Sequence, residues 1–139
     1  ENDLLQLIFN NVDIADIGDA GGLQNSATAG SLYVALHTAD PGEAGTAATN
    51  ETAYTNYARQ AVARSGAGWT VSTNTATNAS QITFPQCGVT GATITHVSIT
   101  TASSGSSKIL YSGALNSSLA VAENITPLFA ASGLTVTED

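Results

Sequence analysis

His37 and His96 each stand in an alternating β pattern, in a chain rich in Ser, Asp and Glu, so a Ser-His-acid hydrolytic set is arithmetically possible. The spacing does not support it. There is no G-x-S-x-G elbow, no H-E-x-x-H pair and no Cys-His signature. His37 shortly precedes Asp40 and reads as a strand-end imidazole bonded to its turn, and His96 lies on a face that carries polar neighbours. Asp13, Asp16 and Asp19 recur every three residues, and oxygen-rich clusters can hold calcium. An EF-hand loop, however, needs ligands on alternate residues, a Gly at its sixth position and a Glu at its twelfth, so these carboxylates read as solvated connector residues. Cys87 is the single cysteine, with neither a neighbouring cation nor a CxxC partner. It excludes an internal disulfide and a Cys-based zinc set, and it reads as structural. Trp69 with Tyr33, Tyr54, Tyr57 and Tyr111 could build a sugar-stacking platform. Aromatic residues make up only 6% of the chain, so most are needed in the core or at subunit contacts. The sequence therefore assigns no catalytic residue, no metal ligand and no cofactor. Four N-x-[ST] sequons, at Asn50, Asn78, Asn116 and Asn124, carry no weight in a chain so rich in Asn, Ser and Thr.

The elements that would position these residues are mostly strands. Leu4, Leu5, Ile8, Phe9 and Val12 fall in one arc when wound at about 100° per residue, so the N-terminus predicts a short amphipathic helix. Asn2 or Asp3 can cap it, and its end is expected near Asn10 or Asn11. A Gly-rich connector follows. From Ser31 the period changes to two, with Leu32, Val34 and Leu36 opposite Tyr33, Ala35 and His37, until the Asp40-Pro41-Gly42 turn. The stretch to about Asn56 reads as an extended surface loop. Residues 57–64 and 68–73 then predict an antiparallel hairpin closed by Ser65 to Gly68, and further strands are expected over 81–84, 93–101, 108–112, 119–122 and 134–137. About eight short strands at roughly ten-residue spacing predict an all-β, single-domain sandwich, jelly roll or barrel. The domain reading is an N-terminal helix and connector arm over 1–22 and a β-sandwich over 23–139.

Composition bounds the partners. Charged residues are only 10% of the 139, against a usual share of about 25%. Eleven carboxylates face only Arg59, Arg64 and Lys108, a net charge of −8. No cationic patch is available to neutralise phosphates, so neither nucleic acid nor an anionic membrane surface is an expected partner. No apolar run approaches the roughly 20 residues of a membrane span, and the run from Leu4 to Phe9 lacks the basic flank and cleavage site of a signal peptide. Neutral polar strands, long Gly/Ala/Thr loops and an apolar N-terminal arm suit a structural protein. Such an arm either packs on its own sandwich or docks on a partner as a helix in a groove.

Four stretches carry a family resemblance: SLYVALHTADPGEAG over 31–45, YARQAVAR over 57–64 leading to Trp69, ILYSG over 109–113, and LTVTED over 134–139. Together they resemble a family of small acidic virion proteins of tailed bacteriophages, labelled tail-fibre-like or head decoration proteins, and most of all its capsid cement members. The resemblance covers the chain from about Ala20 onward. It implies a jelly-roll fold, a homodimer, and attachment to the outer surface of the capsid after synthesis in the host cytoplasm. The major capsid protein is the implied partner. These motifs are structural and bring no catalytic residues. On this reading the chain is a non-enzymatic cement protein whose apolar contact comes partly from Leu4, Leu5, Ile8 and Phe9; the alternative is a tail or fibre protein that recognises host glycans.

Overall fold

A computed structural model describes residues 2–15 and 25–138. Asp16 and Asp19, and with them much of the expected connector, lie outside the described residues. The fold is all-β apart from one short N-terminal helix. In chain order the described elements are α1 (Asn2–Asn10), β1 (Ser31–His37), β2 (Gln60–Ala63), β3 (Trp69–Ser72), β4 (Thr75–Asn78), β5 (Ile82–Thr83), β6 (Ala92–Thr100), β7 (Ile109–Val121), β8 (Leu128–Phe129) and β9 (Thr135–Thr137). They form sheets of order β2-β1-β6-β7, β3-β4-β9 and β5-β8. The chain divides into two compact units. One comprises Glu1–Ser31, Val62–Ile82 and Phe129–Asp139, the other Leu32–Ala61 and Thr83–Leu128.

The first unit is built on α1 and the β3-β4-β9 sheet. The apolar arc of α1 places Leu5 and Phe9 fully inside, and Phe9 meets the buried Trp69 edge to face at 4.7 Å. The helix ends where the sequence changes to Asn10-Asn11. Asn11 takes the left-handed conformation at φ 57°, and the Val12 N–H returns to the Gln6 carbonyl. Arg64 closes the same end by donating to the Ile8 and Leu7 carbonyls at 2.8 and 2.7 Å, which satisfies orphan acceptors and sets a cation at the negative pole of the helix. Asn78 anchors the C-terminal segment: its fully buried amide donates to the Ala130 and Ser80 carbonyls and accepts the Leu134 N–H.

The second unit is built on β1, β6 and β7, antiparallel throughout. In β1 both faces are covered over Val34 to His37, and the strand lies between β2 and β6 in its sheet. The expected surface loop after it is partly internal, since Ala47, Thr52 and Tyr54 are buried.

Three expectations need correction. The strands expected over 57–64 and 68–73 do not form one hairpin: β2 joins β1, whereas β3 pairs with β4. The Arg64 N–H goes to the Gly30 carbonyl, Ser65 to Gly68 closes as a tight turn of its own, and β3 finds its ladder in the next segment. That segment, β4, has Asn78 inside among Thr and Ala and carries no apolar alternation, so it was not expected as a strand. The strands expected over 108–112 and 119–122 are the two ends of the 13-residue β7. Ile94 pairs with Leu119 and His96 with Ala114, so residues 115–118 bulge opposite Thr95 while the strand continues.

Candidate functional site

The densest polar cluster lies in the second unit. Glu51, in the loop before β2, receives Arg59 in a bidentate ion pair, Nε to Oε1 at 2.6 Å and Nη2 to Oε2 at 2.7 Å. The Arg59 side chain is 1% exposed and that of Glu51 19%. Its remaining N–H groups hold the loop between β6 and β7: Nη1 donates to the Ala102 carbonyl and Ser107 Oγ at 3.0 Å each, and Nη2 to the Gly105 carbonyl at 2.8 Å. All five guanidinium donors are thus used within the unit, a geometry lysine cannot reproduce. The hydrogen bonds that Arg59 donates to Glu51 are the main reason its pKa is raised.

Tyr57 belongs to the same cluster. Its hydroxyl donates to Glu51 Oε1 and accepts the Leu36 N–H, both at 3.0 Å, and its ring stacks on Phe84. Burial raises its pKa strongly. The Tyr54 hydroxyl donates to the Pro85 carbonyl, and burial, with the proximity of Cys87 second, pushes that phenol up to about 12. These groups act as donors and props for the backbone; none is aimed at solvent.

The residues singled out in the sequence fall apart in space and in role. His37 is buried, with Nε2 at 2.7 Å from Ser98 Oγ and Nδ1 at 2.9 Å from the Thr49 carbonyl. That is the spacing of a nucleophile and its base, but the third group is a backbone carbonyl rather than a carboxylate, and Ser98 is buried. The pair bonds β1 to β6. His96 lies directly across from His37 in the ladder, half-buried, with Nδ1 at 2.9 Å from Thr95 Oγ1. Asp13 accepts the Asn25 N–H, and among the described residues no three His, Cys, Asp or Glu side chains gather as a metal site. Cys87 is buried. Trp69 and Tyr54 are buried, and Tyr33, Tyr57 and Tyr111 half-buried, so the aromatic side chains are packed into the units rather than set out as a stacking surface. Of the N-terminal stripe, Leu5 and Phe9 are buried, Ile8 is half-buried and Leu4 is 41% exposed.

Sequence reasoning missed Glu51, Tyr57 and Arg59 as a unit. The available signal was scarcity: in a chain with three cations, each is expected to have a specific partner.

What remains outside is polar and net acidic, with Asp3, Asp13, Asp40, Glu43 and Glu123 exposed. Lys108 is the exposed cation, Arg59 and Arg64 being bonded internally. In the second unit the exposed side of β7 runs through Ser, Gly, Ala and Asn, and the exposed large apolar residues are Val89, Leu119, Ile125 and Leu128, Val89 at 81%. The Ile125 carbonyl takes the Cys87 N–H. This arrangement gives a direct expectation for proteolysis. Trypsin should cut the folded protein after Lys108 well before Arg59 or Arg64, because both arginine side chains would have to leave their bonds first. Mass spectrometry of the first fragments reads this; early cleavage after Arg59 would contradict the clasp.

Residues 1–137 match a family model described as podophage GP4 fiber I protein gp80. No curated protein matches the chain.

Proposed function

We propose, from the premise that the chain belongs to this podophage fiber protein family, that it is a non-enzymatic capsid cement protein. Family membership makes it a tailed-phage virion structural protein. The finer reading is that it binds the outside of the head across neighbouring major capsid protein subunits and strengthens the shell without covalent chemistry. The observation that carries it is the burial of Trp69 and Tyr54 together with the internal bonding of Arg59 and Arg64. A receptor-binding module would be expected to set such groups outward. Here they stabilise the units, and a polar, acidic surface almost without cations is left for shape-matched contacts.

The mechanism is mass action. A protein that binds the assembled shell and not its separated subunits stabilises the assembly by its binding free energy, and a homodimer would bridge two attachment points with a raised effective concentration. Within the N-terminal stripe, Leu4 and the half-buried Ile8 are the residues left to contact a capsid subunit, while Leu5 and Phe9 hold the helix on its own unit.

The family's description as a fiber protein favours the second reading in its coarser part, a tail or fibre protein; host-glycan recognition is that reading's own extension. The packed aromatic residues weigh against a stacking platform in that role.

Co-sedimentation with phage heads lacking the protein tests the proposal. Binding is expected, with only a few-fold loss between low and moderate salt, because few charges are available to be screened. No binding to heads would overturn the reading. So would a loss of about 10³-fold or more, the behaviour of surfaces that break many ionic contacts.

A further inference from the structure

His37 closes β1 and is fully buried. A carbonyl oxygen can only accept, so the contact with Thr49 requires the proton on Nδ1. In the neutral ring Nε2 is then an acceptor, filled by the Ser98 hydroxyl. Thr49 belongs to the loop of residues 38–51, which returns to β1 through Thr38 N–H to the Asn50 carbonyl and, just beyond it, Thr52 N–H to the Leu36 carbonyl, with Glu51 bridged to His37. One imidazole therefore joins β1, β6 and the returning loop.

We propose that His37 is an acid-released latch on the 38–51 loop: neutral, it bonds the loop to β6, and protonated, it favours an opened loop in which the imidazolium reaches water. Burial, the largest cause, holds the ring below its ordinary value of 6.5; the Thr49 hydrogen bond and the Glu51 charge act against it, and Arg59 and His96 act with it. Of the other ionisable groups, Tyr33 lies on β1, Asp40 and Glu43 are exposed on the loop, and Tyr57, outside these elements, bonds Glu51. The sign follows from the direction of the shift. A closed state that binds its proton more weakly than the open state is fully favoured above about pH 6.5 and loses that advantage as pH falls toward the depressed value.

Amide hydrogen exchange with pH-corrected intrinsic rates tests the latch. Protection at Thr38, Ala47 and Thr52 should fall by up to about tenfold per pH unit below about 6.5, until the closed state itself titrates, while ladder amides such as Val97 hold. In His37→Gln the loss should vanish. NMR titration of the wild-type ring supplies a second readout that needs no variant: His37 should titrate below 6.5, together with the loss of loop protection. The proposal fails if loop protection is flat with pH, if β6 opens in parallel, if the glutamine variant shows the same acid loss, or if the His37 ring titrates at or above 6.5.

Discussion

Arg59→Ala is expected to cost about 3–5 kcal/mol of stability, the usual penalty for removing one partner of a buried ion pair. The substitution leaves the Glu51 carboxylate with its Tyr57 contact alone, frees the carbonyls of Ala102 and Gly105, and leaves the Ser107 hydroxyl with its Thr100 partner only. Because Glu51 keeps some access to water, the lower half of that range is the better expectation. Urea unfolding with a double-mutant cycle separates the parts. Glu51→Gln alone should cost less than Arg59→Ala, since the guanidinium keeps its bonds to the β6–β7 loop. Arg59→Lys should recover little, as one ammonium cannot reach both Glu51 oxygens and the loop carbonyls. Unfolding curves for Arg59→Ala that overlay the wild type would show that the clasp does not stabilise the fold.

Trp69→Ala should be of similar size, about 3–5 kcal/mol, through the transfer free energy of the indole and the cavity left behind. The loss should be local as well as global. Phe9 packs edge-on against Trp69, so α1 loses its principal apolar contact and a nine-residue helix is too short to persist alone. Loss of helical circular dichroism at temperatures where β structure survives, with new tryptic cleavage after Arg64, is the expected signature. Retained helix with unchanged melting would contradict the packing described for the first unit.

The contrast between these two sites shows what was legible in the sequence. The α1 stripe was readable because Leu5 and Phe9 are one helical turn apart and the Asn10-Asn11 pair supplies the stop. The β1 strand was readable from its period, and the all-β class from the spacing of the turns. The β4 strand was not, because Asn78 is internal for its hydrogen bonds, and apolar periodicity does not register a polar residue in that role. Nor was the continuity of β7, since Gly, Ser and Asn over 113–118 look like a break when a bulge can carry the strand through. The Glu51–Arg59 pair is eight residues apart in a segment without periodicity, and its loop partners lie more than forty residues further on, so only the fold brings them together.

The central claim, a cement protein distributed over the head, is tested most directly by copy number per purified virion relative to the major capsid protein, by calibrated gel densitometry or quantitative mass spectrometry. A ratio near one to one is the predicted result. A ratio of a few per cent would contradict it and place the protein in the tail or fibre.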